Sequence, residues 1–169
     1  TLFRSPCHKG EDISKYCEKL GVARLSDLVY INEETWRTKE ETRSEALYIW
    51  QQIKECIYKG VNKEGVLPGG LNVTRRAADF NRKLLGEDVI YKNINEWFAA
   101  VKNSPKDFNQ ITRWISCFAL AVNEENASFG RIITAPTNGA SGVIPAVLMY
   151  SQTFTEFNSE EDIIRFILV

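Results

Sequence analysis

Apolar residues recur along the chain at intervals of three and four, the spacing that places side chains on one face of an α-helix. The first such set is Ile13, Tyr16, Cys17 and Leu20. Gly21 comes next, and glycine commonly ends a helix. A longer segment begins at Thr38, with Glu41 three residues later in a capping-box pattern. Its apolar face consists of Ala46, Ile49, Trp50, Ile53, Ile57 and Val61.

The same spacing predicts five further helices, at residues 74–85, 94–101, 104–122, 141–152 and from Asn158 or Ser159 onward. In the third of them, Ser104 is the predicted N-cap and Pro105 the first helical residue. No segment alternates between apolar and polar residues as a half-buried strand would. The predicted fold class is therefore all-α, a multi-helix bundle-like domain with glycine-rich loops that carry function.

The length of 169 residues suits one domain with a real core, because 44% of the residues are hydrophobic and 25% are charged. The net charge of −1 provides no basic field for nucleic acid or an anionic membrane. No run of 18 apolar residues is present, so no transmembrane helix is expected. The chain begins without methionine and ends on an apolar Ile-Leu-Val, so we expect it to be truncated at both ends, with bare apolar residues on its last helix.

The four cysteines form no C-x-x-C pair, and their low density favours a reducing cytoplasm over a secreted disulfide scaffold. Cys17, Cys56 and Cys117 fall on apolar helical stripes, where cysteine acts as a small buried hydrophobe. The single histidine, His8, lies in the N-terminal tail. A catalytic dyad or triad built around a histidine is therefore not favoured.

Residues 134–142, which we call the elbow, are unusually rich in glycine and short polar side chains and precede a predicted helix. Exposed N–H groups at a helix start attract anions such as carboxylates, and glycine lets the backbone approach a ligand. The candidate substrate-binding residues are Thr137, Asn138, Gly139 and Ser141. The alternative interpretation is a well-formed turn with ordinary caps.

Two other stretches concentrate polar groups. One is the end of the fifth predicted helix, at residues 104–122, which contributes candidate pocket residues Asn123, Glu124, Glu125 and Asn126. Taken alone, this pattern is typical of a frayed and solvated helix end. The other is the pair Arg75 and Arg76 near a helix start. Two positive charges at this end oppose the helix dipole, so the pair is unfavourable unless an anion lies beside it. The alternative is two surface arginines that pair weakly with acids.

Together these stretches resemble a known family. VLPGGLNVTRRA at 66–77, ALAVNEENA at 119–127 and GRIITAPTNGASGVIPAVLMY at 130–150 are similar, in order and separation, to the α domain of the bacterial iron–sulfur L-serine dehydratases, also called L-serine ammonia-lyases. The upstream stretch KECIYKGVNKEGVLPGG at 54–70 resembles the same family. The resemblance identifies residues 1–169 as the N-terminal part of this helical domain.

The resemblance implies a β-elimination that converts L-serine to pyruvate and ammonia. In the full-length enzyme, the open iron of a [4Fe–4S] cluster acts as a Lewis acid on the serine hydroxyl while a base removes the Cα proton. The cluster cysteines of the family lie downstream, and none of the four cysteines of this chain matches them. No cluster is therefore expected in this fragment, which alone should be inactive, and the catalytic residues stay unassigned.

The resemblance also implies partners and a setting. The expected partners are L-serine, the remainder of the catalytic domain, a small α/β domain or subunit, and further copies in a homo-oligomer, without nucleic acid or membrane. The expected location is the cytoplasm, and the role is amino-acid catabolism feeding gluconeogenesis. Two alternatives remain open: a related helical lyase or desulfidase for another small amino acid, and a non-catalytic helical interaction subunit.

Overall fold

The computed structural model describes residues 9–133 and 138–169. They form a short 3-10 helix at Asn138–Ala140 and eight α-helices: α1 (Gly10–Leu20), α2 (Leu25–Glu33), α3 (Lys39–Val61), α4 (Ala77–Leu85), α5 (Ile94–Lys102), α6 (Phe108–Ala127), α7 (Val143–Phe154) and α8 (Glu160–Ile167). Within these ranges the β-structure is limited to an isolated antiparallel bridge between Val66 and Thr74. The all-α prediction is confirmed. No helix in the described ranges is long and apolar enough to cross a bilayer.

The chain divides into two compact units. The first comprises residues 9–50 and 159–169 of the described chain, and the second comprises residues 51–158. Because α3 covers residues on both sides of this division, it contributes to both units. The predicted single domain thus has an internal subdivision that the hydrophobic pattern does not indicate.

In the first unit, two predicted helix boundaries are confirmed. Gly21 follows α1 in the left-handed conformation, with φ 66°. At the start of α3, the Thr38 backbone N–H donates to Glu41 Oε2 at 2.7 Å and the Glu41 N–H donates to Thr38 Oγ1 at 3.2 Å. The prediction missed α2, whose buried residues are half polar: Ser26, Leu28, Tyr30 and Asn32. An apolar-spacing rule cannot detect such a helix.

The last helix, α8, does not carry the bare apolar face that we expected. Ser159 caps it together with Asp162, and Ile164 is fully buried against Tyr30 and Ala46. Charged contacts also hold α8 in the first unit, since Arg165 Nη1 donates to Asp27 Oδ1 at 3.1 Å. Because Tyr30 lies on α2, which the sequence pattern did not predict, the burial of Ile164 on α8 was not predictable either.

In the second unit, α6 packs against both α4 and α7. Its Trp114 and Phe118 are fully buried and stacked at 5.4 Å between ring centroids, and Phe118 also contacts the Trp97 ring of α5. Both indole N–H groups are satisfied, because Trp97 Nε1 donates to Asn81 Oδ1 and Trp114 Nε1 donates to Ser104 Oγ, each at 2.9 Å. These rings form the core that supports α6.

Two predicted boundaries in this unit are wrong. The N-cap of α6 is Asp107, whose side chain accepts from Gln110 N at 3.0 Å, whereas Ser104 Oγ donates to Val101 O at 2.7 Å. The fourth helix begins at Ala77 rather than at 74, because Thr74 is held in the bridge with Val66.

The cysteine predictions hold for two of the three positions. Cys56 and Cys117 are buried, while Cys17 is only half-buried on α1, a helix with no fully buried residue.

Candidate functional site

The C-terminal end of α6 is buried rather than solvated. The helix continues through Ala127, and Glu124 and Glu125 are 3% and 0% exposed. Charged carboxylates are almost never fully buried without partners. The interpretation of this segment as a frayed helix end is therefore wrong, and its acids must be paired inside the protein.

Glu125 is surrounded by three cationic side chains. Its Oε1 lies 2.8 Å from Arg75 Nη2 and 3.6 Å from Lys63 Nζ, and its Oε2 lies 3.3 Å from Lys59 Nζ. Arg75 is buried with Glu125, whereas both lysines reach solvent. One carboxylate faces three cations, so this cluster carries an excess of positive charge.

The ionisation of Glu125 follows from two opposing effects. Burial disfavours the charged form and would raise the pKa of the carboxyl. The hydrogen bonds and charges of Arg75 and Lys59 act in the other direction and hold the pKa below its ordinary value. Glu125 is thus an ionised carboxylate at neutral pH and serves as a fixed negative centre for its cationic neighbours.

Glu124 performs a different task, because it caps α4 from another helix. Its Oε1 accepts from the backbone N–H of Arg76 at 2.7 Å, and its Oε2 accepts from that of Ala77 at 3.3 Å. A carboxylate at these free N–H groups satisfies them and complements the helix dipole. The sequence left open whether an anion meets the arginine pair or both arginines lie on the surface. Glu125 pairs with the buried Arg75, whereas Arg76 is exposed and contributes its backbone N–H to Glu124.

Arg75 ties the end of α6 to the chain beyond it. Its Nη2 donates to Glu124 O at 3.3 Å and to the hydroxyl of Ser128, which in turn donates to Glu124 O at 2.6 Å. The second terminal nitrogen, Nη1, is buried without a hydrogen-bond partner. The arginine side chain therefore fixes the first residue after α6 as well as the pair of acids.

The predicted substrate-binding residues lie at the start of α7 or just before it. Thr137 lies outside the described residues, Asn138 and Gly139 belong to the 3-10 helix, and Ser141 is buried. The Gly139 position has open space beside it, since no atom lies within 4 Å of where a Cβ would be. The N-cap of α7 is Gly142, which offers no side-chain cap.

The N–H groups at the start of α7 suit an anion, although a proline in the first turn removes one of them. Val143 and Ile144 carry the first helical N–H groups, whereas Pro145 has none. Val143 and Ile144 are also exposed, at 57% and 58%. This end of α7 is accessible from solvent and has the positive end of its dipole there.

Two glycines contact α6. Asn123 Oδ1 lies 2.9 Å from where a Cβ of Gly142, the last residue of the elbow, would be, and the Gly130 N–H donates to Glu125 O at 2.8 Å. Asn123 is exposed and Asn126 half-buried, whereas both acids are buried. Within the second unit, the C-terminal part of α6 thus contacts Arg75, Gly130 and Gly142.

A cavity of about 190 Å³ lies between α3 and the residues that precede Thr134. It is lined by Gln52, Glu55, Cys56, Lys59, Arg131, Ile132 and Ile133. Pockets for drug-sized ligands are roughly 300–1,000 Å³, so this one accommodates only a small molecule. Lys59 connects the cavity to the Glu125 cluster.

Sequence reasoning missed several members of this region. Lys59 lies in the last turn of α3 and Lys63 two residues after its end, and the hydrophobic pattern gives no signal for either. Ser128 comes three residues after Glu125 and forms no motif. Gly142 was interpreted as part of a loop whose backbone approaches a ligand, or of an ordinary turn, whereas it packs against α6.

The described residues do not fit an iron–sulfur cluster. Among them no three His, Cys, Asp or Glu side chains are grouped so as to hold a metal ion. Burial raises the pKa of Cys56 to about 11 and that of Cys117 to about 12, so both thiols stay protonated, whereas a cluster needs thiolates. The Cys117 thiol donates to Ala77 O at 3.8 Å, as expected of a protonated group.

Known proteins resemble this chain over nearly its whole length. The family described as serine dehydratase alpha chain matches residues 21–169. The L-serine dehydratase of Streptomyces coelicolor is 39% identical over 168 residues, which are 99% of this chain and 33% of that protein. L-serine dehydratase 2 of Escherichia coli is 40% identical, over 97% of this chain and 33% of its own length. The L-serine dehydratase of Haemophilus influenzae is 40% identical, over 96% of this chain and 32% of its own length.

The chain spans about a third of the length of these curated relatives. The family match covers both acids of α6, the arginine pair and the elbow. The chain belongs to the serine dehydratase alpha chain family.

Proposed function

We propose that this chain is the N-terminal part of the helical α domain of an L-serine ammonia-lyase, which eliminates water from L-serine to give pyruvate and ammonia. The observation that carries the proposal is the family match over residues 21–169, together with relatives of 39–41% identity that are named L-serine dehydratases. The second unit supports it, because it contains a small cavity, an accessible helix start and a buried carboxylate beside three cations.

In this proposal the elbow binds the carboxylate of the substrate. Helix N–H groups at Val143 and Ile144 and the dipole of α7 favour an anion there. The side chains of Thr137, Asn138 and Ser141 add short hydrogen-bonding groups, and Gly139 leaves space for a ligand. The positive excess around Glu125 strengthens the attraction for an anion.

The other candidate residues support this site without touching the substrate. Arg75, Glu124 and Glu125 fix the end of α6, and Arg76 contributes its backbone N–H to the cap of α4. Asn123 contacts the start of α7, and Asn126 O accepts from the N–H of Phe129 at 3.1 Å. The proton-abstracting base stays unassigned, because Glu124 and Glu125 are committed to N–H groups and cations.

A [4Fe–4S] cluster belongs to the proposal for the complete enzyme, where an open iron would supply Lewis-acid assistance to the departing hydroxyl. Since the described residues do not offer its ligands, we assign those ligands to the part of the enzyme outside this chain and derive no step through the cluster. The remaining partners proposed are the rest of the catalytic domain, a small α/β domain or subunit, and a second copy. The proposed setting is serine catabolism in the cytoplasm, with pyruvate available for gluconeogenesis.

The test uses the complete protein, assayed under anaerobic conditions for pyruvate formation from L-serine, L-threonine and L-cysteine. Serine as the best substrate is the expected result. Preference for cysteine would instead indicate a desulfidase, and no turnover of any of them would indicate a helical interaction subunit. These outcomes separate the main proposal from both alternatives.

A second experiment tests the elbow. Thr137→Ala and Asn138→Ala should raise KM for serine about ten- to a hundredfold, because each removes roughly 1.5–3 kcal/mol of hydrogen bonding to a charged group. Asn95→Ala, at an exposed position on α5, is the matched control and should leave KM unchanged. Unchanged kinetics with a lowered melting temperature would show that the elbow is only a turn.

A further inference from the structure

The wall that α3 provides to the cavity of about 190 Å³ carries charges of both signs. Its residues are Gln52, Glu55, Cys56 and Lys59, whose spacing places them on one face of the helix. Glu55 and Lys59 are exposed, whereas Cys56 is buried. On this wall the charged groups therefore lie toward solvent and the thiol lies in the interior.

The carboxylate of Glu55 is held in place and can still accept hydrogen bonds. The Gln51 side-chain amide donates to its Oε1 at 2.8 Å, and the Gln52 amide donates to its Oε2 at 3.2 Å. An ionised carboxylate offers about four acceptor positions, so these two bonds leave others for a ligand. Glu55 is thus an oriented acceptor for a positively charged group.

Two cationic residues line the same cavity. Lys59 belongs to α3, and Arg131 belongs to the opposite wall. Lys59 Nζ lies 3.3 Å from Glu125, but that carboxylate also has Arg75 at 2.8 Å and Lys63 at 3.6 Å. Because an ammonium group has three donors and Glu125 does not depend on Lys59 alone, Lys59 can bind a second anion.

The rest of the lining is apolar. Ile132 and Ile133 are half-buried, and burial keeps the Cys56 thiol protonated by raising its pKa to about 11. A few polar groups at fixed positions above an apolar lining are typical of small-molecule sites. Since the lining offers one carboxylate and two cations, the ligand that matches it is small and carries both a positive and a negative group.

We propose that this cavity binds a small zwitterionic α-amino acid, with its ammonium group at Glu55 and its carboxylate at Lys59 and Arg131. Its short side chain then faces the apolar lining. A simple anion would gain nothing from Glu55, and a simple cation would be repelled by Lys59 and Arg131. The cavity lining includes no residue of the elbow, so the inference goes beyond the proposed function and does not depend on it.

The test uses glycine and L-alanine, which have no leaving group at Cβ and are not consumed by the proposed elimination. The complete protein carries isotope-labelled isoleucine methyl groups, and Ile132→Val and Ile133→Val identify the two nuclear magnetic resonance signals from the cavity. Both amino acids should shift these signals. Glu55→Gln should weaken binding at least about tenfold, because it removes the charge that the ammonium group meets. Glu45→Gln, at an exposed position on α3 outside the cavity, is the matched control and should leave the affinity unchanged.

Each of the following outcomes would overturn the inference. If neither signal shifts, the cavity binds no amino acid. If Glu55→Gln binds glycine as tightly as the unsubstituted protein, the amino acid lies elsewhere. Equal binding of acetate would indicate a site for anions alone, and equal binding of L-tryptophan would show that the cavity does not select small ligands. If the complete protein makes no pyruvate from serine, the proposed function fails, whereas the two methyl signals still report on this cavity.

Discussion

The guanidinium of Arg75 and the carboxylate of Glu125 are paired at 2.8 Å, with side chains only 2% and 1% exposed. The two residues are fifty positions apart, so the pair joins the segment before α4 to the end of α6. Both charges have lost their hydration, and each depends on the other for compensation. Removing one partner alone leaves a buried charge, which is the most damaging change available at this contact.

Glu125→Gln should therefore destabilise the protein by about 3–5 kcal/mol, because Arg75 keeps its charge in a buried site. Arg75→Met should cost less, since Lys59 and Lys63 remain beside the carboxylate. Urea unfolding monitored by circular dichroism measures both. The control is Arg82→Gln at the exposed pair with Glu64, which should cost under about 1 kcal/mol. Equal losses for Glu125→Gln and the control would contradict this account.

The same pair predicts a pH dependence. The pKa of Glu125 is lower in the folded protein than in the unfolded chain, where a glutamate titrates near about 4.3. Its contribution to stability is complete above that value and is lost as pH falls through the lower folded pKa. The difference in unfolding free energy between the unsubstituted protein and Glu125→Gln should be constant from pH 6 to 7 and narrow below about pH 4. A difference that stays constant down to pH 3 would show that folding does not lower the pKa of Glu125.

The sequence predicts the helices whose apolar residues recur at helical spacing. The structure explains why one helix and the start of another were not predicted. The face of α3 from Ala46 to Val61 is buried except at the half-buried Ile49. The missed helix α2 buries Ser26 and Asn32, two polar residues that no hydrophobic pattern can reveal. Local propensity also cannot show that Thr74 pairs with Val66 and delays the start of α4.

The candidate site was predictable only in part, for a related reason. The residue types of the arginine pair and the acids were identified, but their burial depends on a contact between residues far apart in sequence. Taken alone, Glu124 and Glu125 have the pattern of a solvated helix end. The role of Gly142 was equally hidden, because its close contact is with the backbone carbonyl of Ala119, a group that every residue carries.

The buried thiols lead to a prediction about chemical reactivity. Burial raises the pKa of Cys56 to about 11 and that of Cys117 to about 12. At pH 7.5 the thiolate fractions are then roughly 300-fold and 3,000-fold below that of an ordinary cysteine. Iodoacetamide labelling with peptide mapping should find both residues slow to react in the folded protein and fast in urea. Rapid labelling of either one in the folded protein would contradict its burial.

The cap that Glu124 provides to α4 can be measured separately from the buried ion pair. Glu124→Ala leaves the N–H groups of Arg76 and Ala77 without their acceptor and should cost about 1–2 kcal/mol. Glu124→Gln keeps one acceptor oxygen and should recover part of this loss. Glu87→Ala, at an exposed position after α4, is the control and should change stability by less than about 0.5 kcal/mol. An equal effect of Ala and Gln at 124 would contradict a role in capping.

At the contact between α3 and α6, replacing a helical glycine by alanine is expected to lower stability rather than raise it. In a helix interior, glycine is less favourable than alanine by about 1 kcal/mol, so Gly→Ala ordinarily stabilises. At Gly60, however, a Cβ would lie 2.5 Å from Ala121 O and 2.9 Å from Ala121 Cα, both of them backbone atoms of α6. One of the two helices must move, and overpacking of this kind costs about 1–3 kcal/mol.

Gly60→Ala should therefore destabilise the protein by about 1–3 kcal/mol in urea unfolding, although propensity alone predicts the opposite sign. The matched control is Gly10→Ala at the first residue of α1, where no atom lies within 4 Å of the added methyl group. That substitution should be neutral or slightly stabilising, since propensity acts there without a steric conflict. Stabilisation by both substitutions would show that α3 and α6 are not in backbone contact at Gly60 and Ala121.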